Sequence, residues 1–336
     1  MHDQTGAAGL RDKVAFPVFR QRPPWLGGDL QTLRNQLLPF PPRLSPWPGE
    51  RLELAMADGS GDRLVARLHR PLAASGRPLV VLIHGLTGCE DSYYILRSAR
   101  HLLGLGYPVL RLNLRGAGPS RPLCRWQYHA GRSEDLRDAL NALDSTLKDA
   151  GLLLVGYSLG GNMLIKFLAE FGQAFPIRAA AAISAPLDLK DCQICLEQPR
   201  NWIYQYALLR RMKIEAQAGA AELTGEERRA IRAARREFEF DEFFVAKRAG
   251  FEGADSYYRH SSAQAYLAEV PCSTLVLHAR DDPWIPVDAY ERFDWSCNPN
   301  LTLLLSDSGG HLGFHQRGPL TPWHDTCLAR YFAAFL

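Results

Sequence analysis

From residue 77 onward, short and nearly continuous apolar runs alternate with longer segments in which apolar residues recur every three or four positions. The runs are RPLVVLIHG (77–85), YPVLRLNLRG (107–116), GLLLVGYS (151–158) and IRAAAAISAP (177–186), each bounded by glycine or proline. Apolar runs of this length without polar alternation predict strands buried on both faces. The segments between them, about 91–105, 133–149 and 160–172, predict helices. Two later runs, STLVLHAR and LTLLLSD, and a helical pattern from about residue 321 continue the series. Strands and helices in alternation imply an α/β fold with a mainly parallel central sheet covered by helices on both faces. Just upstream, RLELAMA and DRLVARLHR alternate apolar with polar residues on either side of Asp58-Gly-Ser-Gly-Asp62, the pattern of an antiparallel hairpin.

Two stretches depart from this rhythm. Residues 1–49 are rich in proline and aromatics, with one short helical pattern, GDLQTLRNQLL, and read as a segment that wraps the domain. Residues 187–262 are helical in pattern with no strand. They include a capping box, Thr224 to Glu227, that opens the basic segment EERRAIRAARR. An insertion between two sheet strands has to lie at an edge or over the strand ends, so this one is expected to be a helical cap. The core is then 50–186 together with 263–336.

Composition narrows the class. With 46% hydrophobic and 22% charged residues the chain reads as a soluble globular protein, and a net charge of +3 is too small for a dedicated nucleic-acid binder. Seven scattered cysteines, an odd number, suit a reducing compartment. Cys192 and Cys195 form a lone CxxC without a second pair, so no metal site is expected. The N-terminus does not resemble a signal peptide and no run reaches membrane-spanning length. The expected location is cytoplasmic, with no integral membrane segment.

The chemistry concentrates in LLLVGYSLGGNMLIKFLAE (152–170). Here an apolar strand pattern passes through Gly156-Tyr157-Ser158-Leu159-Gly160 directly into a helix. A glycine-built structural turn is the plain reading. Gly-x-Ser-x-Gly in strand-turn-helix context also presents a serine nucleophile, with small neighbours that let strand and helix approach. A serine hydroxyl needs a base, and the base needs an orienting acid. His311 follows a late strand on a Gly-Gly turn and is the expected base; His84, His278 and His315 read as structural. Asp281 and Asp282 both follow the preceding strand. A position four residues before Pro286 favours Asp282, whereas counting from the strand end favours Asp281. The backbone N–H groups of Leu159 and Leu86 are the expected oxyanion donors, the second because HGLTG ends an early strand. NLRGAGPS lacks the spacing and the lysine of a phosphate loop, so no nucleotide or other cofactor is expected.

HGLTG, NLRGAG, GYSLGGNM, SAPLDL, DDPWIP and SGGHLGF stand in the order and spacing of the YheT-like α/β hydrolases. These are relatives of the eukaryotic α/β-hydrolase-domain esterases and phospholipases and of the yeast medium-chain ester synthases. The chain resembles that family from about residue 31 to its C-terminal helix. The resemblance implies an α/β-hydrolase fold and a charge relay of Ser158, Asp282 and His311. The segment from Phe238 through Tyr257 and Tyr258 also looks like the family's, and Cys89-Glu90 is the clearest local departure.

The function expected is a serine hydrolase of short- to medium-chain carboxylic esters acting through an acyl-enzyme. An acyltransferase that passes the acyl group to an alcohol is the alternative, and a non-catalytic binding protein is a third reading. The expected partner is a small-molecule ester or lipid. Phe238, Phe240, Phe243 and Phe244, with Arg228, Arg229, Arg232, Arg235 and Arg236, read either as an acyl pocket beside a lipid-facing surface or as a buried aromatic face with a solvated basic one. Glu226, Glu227, Glu237 and Glu239 offset much of the positive charge and favour the second reading, with peripheral lipid contact left open.

Overall fold

Strands β1 (Gly49–Ala55), β2 (Arg63–His69), β3 (Leu79–Ile83), β4 (Val109–Leu112), β5 (Leu152–Tyr157), β6 (Ile177–Ile183), β7 (Thr274–Ala279) and β8 (Leu301–Ser306) form one sheet in the order β1-β2-β4-β3-β5-β6-β7-β8. The computed structural model describes residues 14–38, 42–73, 76–219 and 221–336, so part of the wrapping segment, 1–13 and 39–41, lies outside the described residues. The hairpin pairs Gly49 with His69 through to Ala55 with Arg63, and β2 is antiparallel to β4 as well. From β4 to β8 every neighbouring pair is parallel.

The helices are α1 (Gly28–Leu37), α2 (Tyr93–Gly104), α3 (Glu134–Ala142) and α4 (Leu159–Phe171). Between β6 and β7 come α5 (Leu189–Leu196), α6 (Trp202–Gln217), α7 (Gly225–Ala233), α8 (Glu237–Phe240), a π-turn over Asp241–Val245, α9 (Ala246–Arg248) and α10 (Ala254–Ser261). Then follow α11 (Asp288–Arg292) and α12 (Trp323–Ala333). The capping box at α7 forms: Thr224 Oγ1 accepts the Glu227 N–H at 3.1 Å and Glu227 Oε2 accepts the Thr224 N–H at 2.6 Å.

The apolar runs are continuous because each strand feeds two cores. Successive side chains point to opposite faces of a sheet. Val80, Leu82, Leu153, Val155, Leu275 and Leu277 therefore join Ile95, Leu102, Leu328 and Phe332 of α2 and α12. Val81, Ile83, Leu152, Leu154, Ala182 and Val276 join Leu136, Leu140, Leu164 and Phe167 of α3 and α4 on the other face.

Two elements are shorter than their patterns predict. The helix expected over 133–149 ends at Ala142, because Leu143 turns extended and Asp144 Oδ1 accepts the Thr146 N–H at 2.8 Å, starting a separate 3₁₀ turn. The strand expected over 107–116 ends at Leu112. Asn113 instead donates its N–H and its side-chain amide to the Val65 carbonyl at 3.0 and 2.9 Å, and the chain leaves the sheet.

Arg115, only 1% exposed, ties this exit to the hairpin and to α3. Its guanidinium meets Asp62 at 2.9 Å, Asp58 at 2.9 Å and Asp135 at 2.7 Å. Arg115→Met would leave Asp62 buried without its cation and Asp135 with only Arg132, at 3.0 Å. We expect the variant to lose about 3–5 kcal/mol of stability in urea titrations; a loss below about 1 kcal/mol would show that the cluster does not depend on its cation.

Candidate active site

β5 ends at Tyr157 and α4 begins at Leu159, so Ser158 alone makes the turn, with φ 52° and ψ −126°. A side-chain-bearing residue in that region costs about 1–3 kcal/mol and persists only where its surroundings hold it. Here the Ser158 N–H donates to Ile183 O at 2.8 Å, and Ser158 O accepts from Gly161 N–H at 2.8 Å and Asn162 N–H at 3.2 Å. The contact needs glycine at Gly160, where a Cβ would stand 2.4 Å from His84 O on the neighbouring strand end.

The parallel strands deliver the remaining groups to the same edge of the sheet, at their C-terminal ends. His311 Nε2 lies 3.0 Å from Ser158 Oγ, and His311 Nδ1 lies 2.8 Å from Asp282 Oδ2. The other carboxylate oxygen of Asp282 accepts the N–H groups of Trp284 at 2.9 Å and Ile285 at 3.1 Å. Burial pushes the Asp282 carboxyl up, but the His311 imidazole, its hydrogen bond, His278 and the Trp284 N–H together hold it below the ordinary carboxylate range. An ionised Asp282 keeps the imidazole proton on Nδ1 and leaves Nε2 free to accept from the serine hydroxyl. Trp284 stacks on the imidazole with centroids 4.3 Å apart.

Asp281 is not against the imidazole. Its Oδ1 accepts the Gly310 N–H at 2.8 Å and braces the turn that carries His311. That turn is also held from α1. The His311 N–H donates to Thr32 Oγ1 at 2.8 Å, and the His315 N–H donates to Gln31 Oε1 at 2.6 Å. Gln31 and Thr32 are buried polar residues in an otherwise ordinary short helix, and nothing in the residue pattern marks them. The His315 ring is not drawn into the site: burial pushes it down to about 3, so it is neutral. Among the described residues no group of three His, Cys, Asp or Glu side chains is arranged to hold a metal ion.

In the loop after β3 the N–H groups on either side of Leu86 are engaged. Gly85 N–H donates to Tyr94 Oη at 2.9 Å, Thr87 N–H to Tyr128 Oη at 2.7 Å and Gly88 N–H to Gly85 O at 3.1 Å. Among the described residues the N–H groups of Leu86 and Leu159 have no protein acceptor, and both residues line the cavity beside Ser158. His84 staples this loop. Its Nε2 accepts the Leu114 N–H at 3.0 Å, so the proton sits on Nδ1 and is donated to Gly85 O at 2.8 Å. Burial pushes this histidine down to about 4, which keeps it neutral. Tyr128 Oη in turn donates to Glu215 Oε2 at 2.9 Å, linking the loop to α6.

A cavity of about 610 Å³ opens on Ser158 and His311. Its apolar wall comes from the helices between β6 and β7, with Leu196, Leu208, Met212, Phe240 and Phe244 packed together. Phe243 instead faces solvent, and Arg236 pairs with Glu197 and Glu239. Glu215, Glu237 and Asp241 are the carboxyls of the lining. Burial pushes Glu215 up to about 7, and it pushes Glu237 and Asp241 up as well. The Cys89-Glu90 departure lies outside the lining: Glu90 Oε2 accepts from Asn113 at 2.7 Å and Oε1 meets Arg67 at 3.4 Å.

Residues 78–317 match the family described as the alpha/beta hydrolase fold. The chain is 32% identical over 288 residues to the esterase candidate YheT of Escherichia coli, covering 85% of this chain and 83% of that one. It is 30% identical over 265 residues to phospholipase ABHD3 of Homo sapiens, covering 78% of this chain and 64% of that one. With medium-chain fatty acid ethyl ester synthase/esterase 2 of Saccharomyces cerevisiae the identity is 28% over 286 residues, covering 77% and 62%. The chain thus spans less than two thirds of these two eukaryotic proteins. Among solved structures, esterase Pf2001 of Pyrococcus furiosus superposes with a TM-score of 0.59 at 16% identity, over 88% of this chain and 99% of that one, a likeness of fold.

Two outcomes follow from the supports of the site. Thr32→Val leaves the His311 N–H buried without an acceptor and is expected to cost about 1–3 kcal/mol in urea titrations, with Thr32→Ser restoring most of it; equal stability of both variants would remove the hydroxyl from this role. The Glu215 carboxyl is raised from 4.5 to about 7, so the folded state holds its proton more tightly than the unfolded one. Its contribution to stability is fully present below 4.5 and is lost as pH rises through about 7. Melting temperatures across that window should therefore fall less steeply in Glu215→Gln than in the parent, and an unchanged slope would contradict the shift.

Proposed function

Because this chain belongs to the α/β-hydrolase family, and stands there with the YheT-like esterases, we propose that it hydrolyses carboxylic esters through Ser158. The observation that carries this reading is the unbroken relay at the elbow, Ser158 Oγ to His311 Nε2 at 3.0 Å and His311 Nδ1 to Asp282 Oδ2 at 2.8 Å. As Ser158 Oγ attacks the ester carbonyl, His311 Nε2 takes its proton, and Asp282 stabilises the imidazolium that forms. General-base assistance of this kind is worth about 10²–10⁴-fold. The negative charge on the carbonyl oxygen is met by the N–H groups of Leu86 and Leu159, which have no protein acceptor of their own. A donor of this type contributes about 2.7–4 kcal/mol. His311 then protonates the leaving alkoxide, and water, activated by the same imidazole, releases the acid.

The apolar wall of Leu196, Leu208, Met212, Phe240 and Phe244 supports a short- to medium-chain acyl group. We read 187–262 as a cap over the core of 50–186 and 263–336, with 1–49 wrapping it; cap helices line the cavity, and α1 braces the His311 turn. Seven unpaired cysteines, one of them exposed, fit the cytoplasm. Passage of the acyl group to an alcohol is the second reading, favoured by the yeast relative whose name joins ester synthase with esterase.

Ser158→Ala is expected to abolish labelling by a fluorophosphonate and to lower turnover of p-nitrophenyl esters by on the order of 10³-fold or more. Labelling that survives in this variant would sink the proposal. Among esters of rising chain length, turnover should be highest for short to medium acyl groups; a preference for long chains would overturn that part. Asp282→Asn should lower kcat by on the order of 10⁴-fold, and Asp281→Asn by far less, since Asp281 acts only through the turn. The reverse ranking would reassign the acid. New esters formed in the presence of ethanol or glycerol would establish the transferase outcome.

A further inference from the structure

Helix α6 is apolar on both sides. Leu208, Leu209, Met212 and Ala216 are buried beneath it. Its outer face, at helical spacing, presents Trp202 (65% exposed), Ile203 (59%), Tyr206 (67%) and Ile214 (57%) to solvent. Burial under the sequence's own core therefore does not account for these side chains. Arg210 and Arg211 lie on the same face, and among the described residues neither has a carboxylate partner. The face carries no exposed acid of its own. Helix α1 runs beside it: Arg200, one turn before α6, pairs with Asp29 at 3.0 Å, Tyr204 Oη donates to Asp29 at 3.0 Å, and Arg211 donates to Gln36 at 3.2 Å. Leu30 and Leu37, each one position on from those contacts, are exposed alongside.

We propose that these joined outer faces of α1 and α6 dock on an anionic phospholipid surface. Three observations converge on that occupant. Tryptophan and tyrosine beside aliphatic side chains are the residues that settle at the boundary of headgroups and acyl chains. Two arginines without acidic partners complement phosphate-bearing headgroups, and the one acid of α1 on this side is already neutralised by Arg200. The cavity also reaches solvent here: Gln36, Ile203, Ala207 and Arg211 are at once exposed and part of its lining. Docking by this face sets the cavity mouth against the lipid, so that an ester-bearing amphiphile passes from the surface to Ser158 without crossing bulk water. The docking step itself rests on no catalytic assignment.

The test is flotation of the Ser158→Ala protein, which cannot consume lipid through that serine, with vesicles of phosphatidylcholine alone or mixed with phosphatidylglycerol. Binding is expected with the mixed vesicles and is expected to weaken as salt is added. Trp202→Ser/Tyr206→Ser should weaken it by roughly tenfold or more, and Arg210→Gln by roughly fivefold. None of these residues lines the cavity, so in the active protein the same changes should leave turnover of a water-soluble p-nitrophenyl ester at the parent's level. No flotation, equal flotation with phosphatidylcholine alone, or flotation unchanged by the substitutions would overturn the proposal. So would a dimer formed without vesicles and lost in Trp202→Ser/Tyr206→Ser, which would assign the face to a second copy of the chain. Absence of ester turnover in the parent would sink the hydrolase reading and leave the flotation result standing.

Discussion

The backbone of Ser158 is held at a positive φ that its side chain disfavours, and the site is arranged around keeping it there. α4 leaves this turn so close to the end of β3 that a Cβ at position 160 would stand 2.4 Å from His84 O, and glycine there is what permits the approach. The close approach has a second consequence. It places the loop after β3 beside the first N–H of α4, so that the N–H groups of Leu86 and Leu159 border one cavity with the serine. One steric condition thus sets the hydroxyl, and it sets the two donors beside it.

The groups that surround this turn come from parts of the chain far apart in sequence, and each is fixed by polar contacts that leave one atom free. On the His311 turn, Asp281 and Thr32 take up the N–H groups of Gly310 and His311, and the imidazole is left to bridge Asp282 and Ser158. On the loop after β3, Tyr94 and Tyr128 take up the N–H groups of Gly85 and Thr87, and Leu86 is left over. Preorganisation here means that the neighbouring N–H groups on each turn are already engaged. The N-terminal helix and α6 both belong to that scheme, the first through Thr32 and Gln31, the second through Glu215 on Tyr128.

The division between what the residue pattern reveals and what it conceals follows from this. Leu79–Ile83 and Leu152–Tyr157 are legible as strands because burial on both faces demands uninterrupted apolar residues. Ser158 and His311 are legible because a tight turn demands glycine at fixed offsets, as at Gly156, Gly160, Gly309 and Gly310. Local rules of that kind pull both ways on two adjacent carboxylates, the place before Pro286 favouring Asp282 and the strand end Asp281. Asp281 and Asp282 differ in orientation by one residue of backbone, and the N–H groups of Trp284 and Ile285 settle it. Such rules do not mark a support such as Thr32, Tyr128 or Glu215, whose significance lies wholly in a partner many residues away. The premature end of α3 at Ala142 has a local cause, the competition of Asp144 for the Thr146 N–H, but the apolar periodicity runs on past it and hides the break.

The carboxyl groups around the cavity are divided by environment into two kinds. Asp282 is buried, yet the imidazole and two N–H groups hold it below the ordinary range, so it remains an anion beside the base. Glu215, Glu237 and Asp241 are buried without a comparable cation and are pushed up. Ionised carboxylates lining the same cavity would oppose the negative charge that the proposed ester cleavage builds on the carbonyl oxygen, since like charges repel more strongly where burial lowers the dielectric. In their protonated form they act only as hydrogen-bonding groups, and in the proposed reaction they then leave the Leu86 and Leu159 N–H groups unopposed. Desolvation thus does on the cavity wall what the imidazole prevents at Asp282. In the proposed reaction the anion is kept where it steadies a positive charge, and negative charge is suppressed where it would face a negative one.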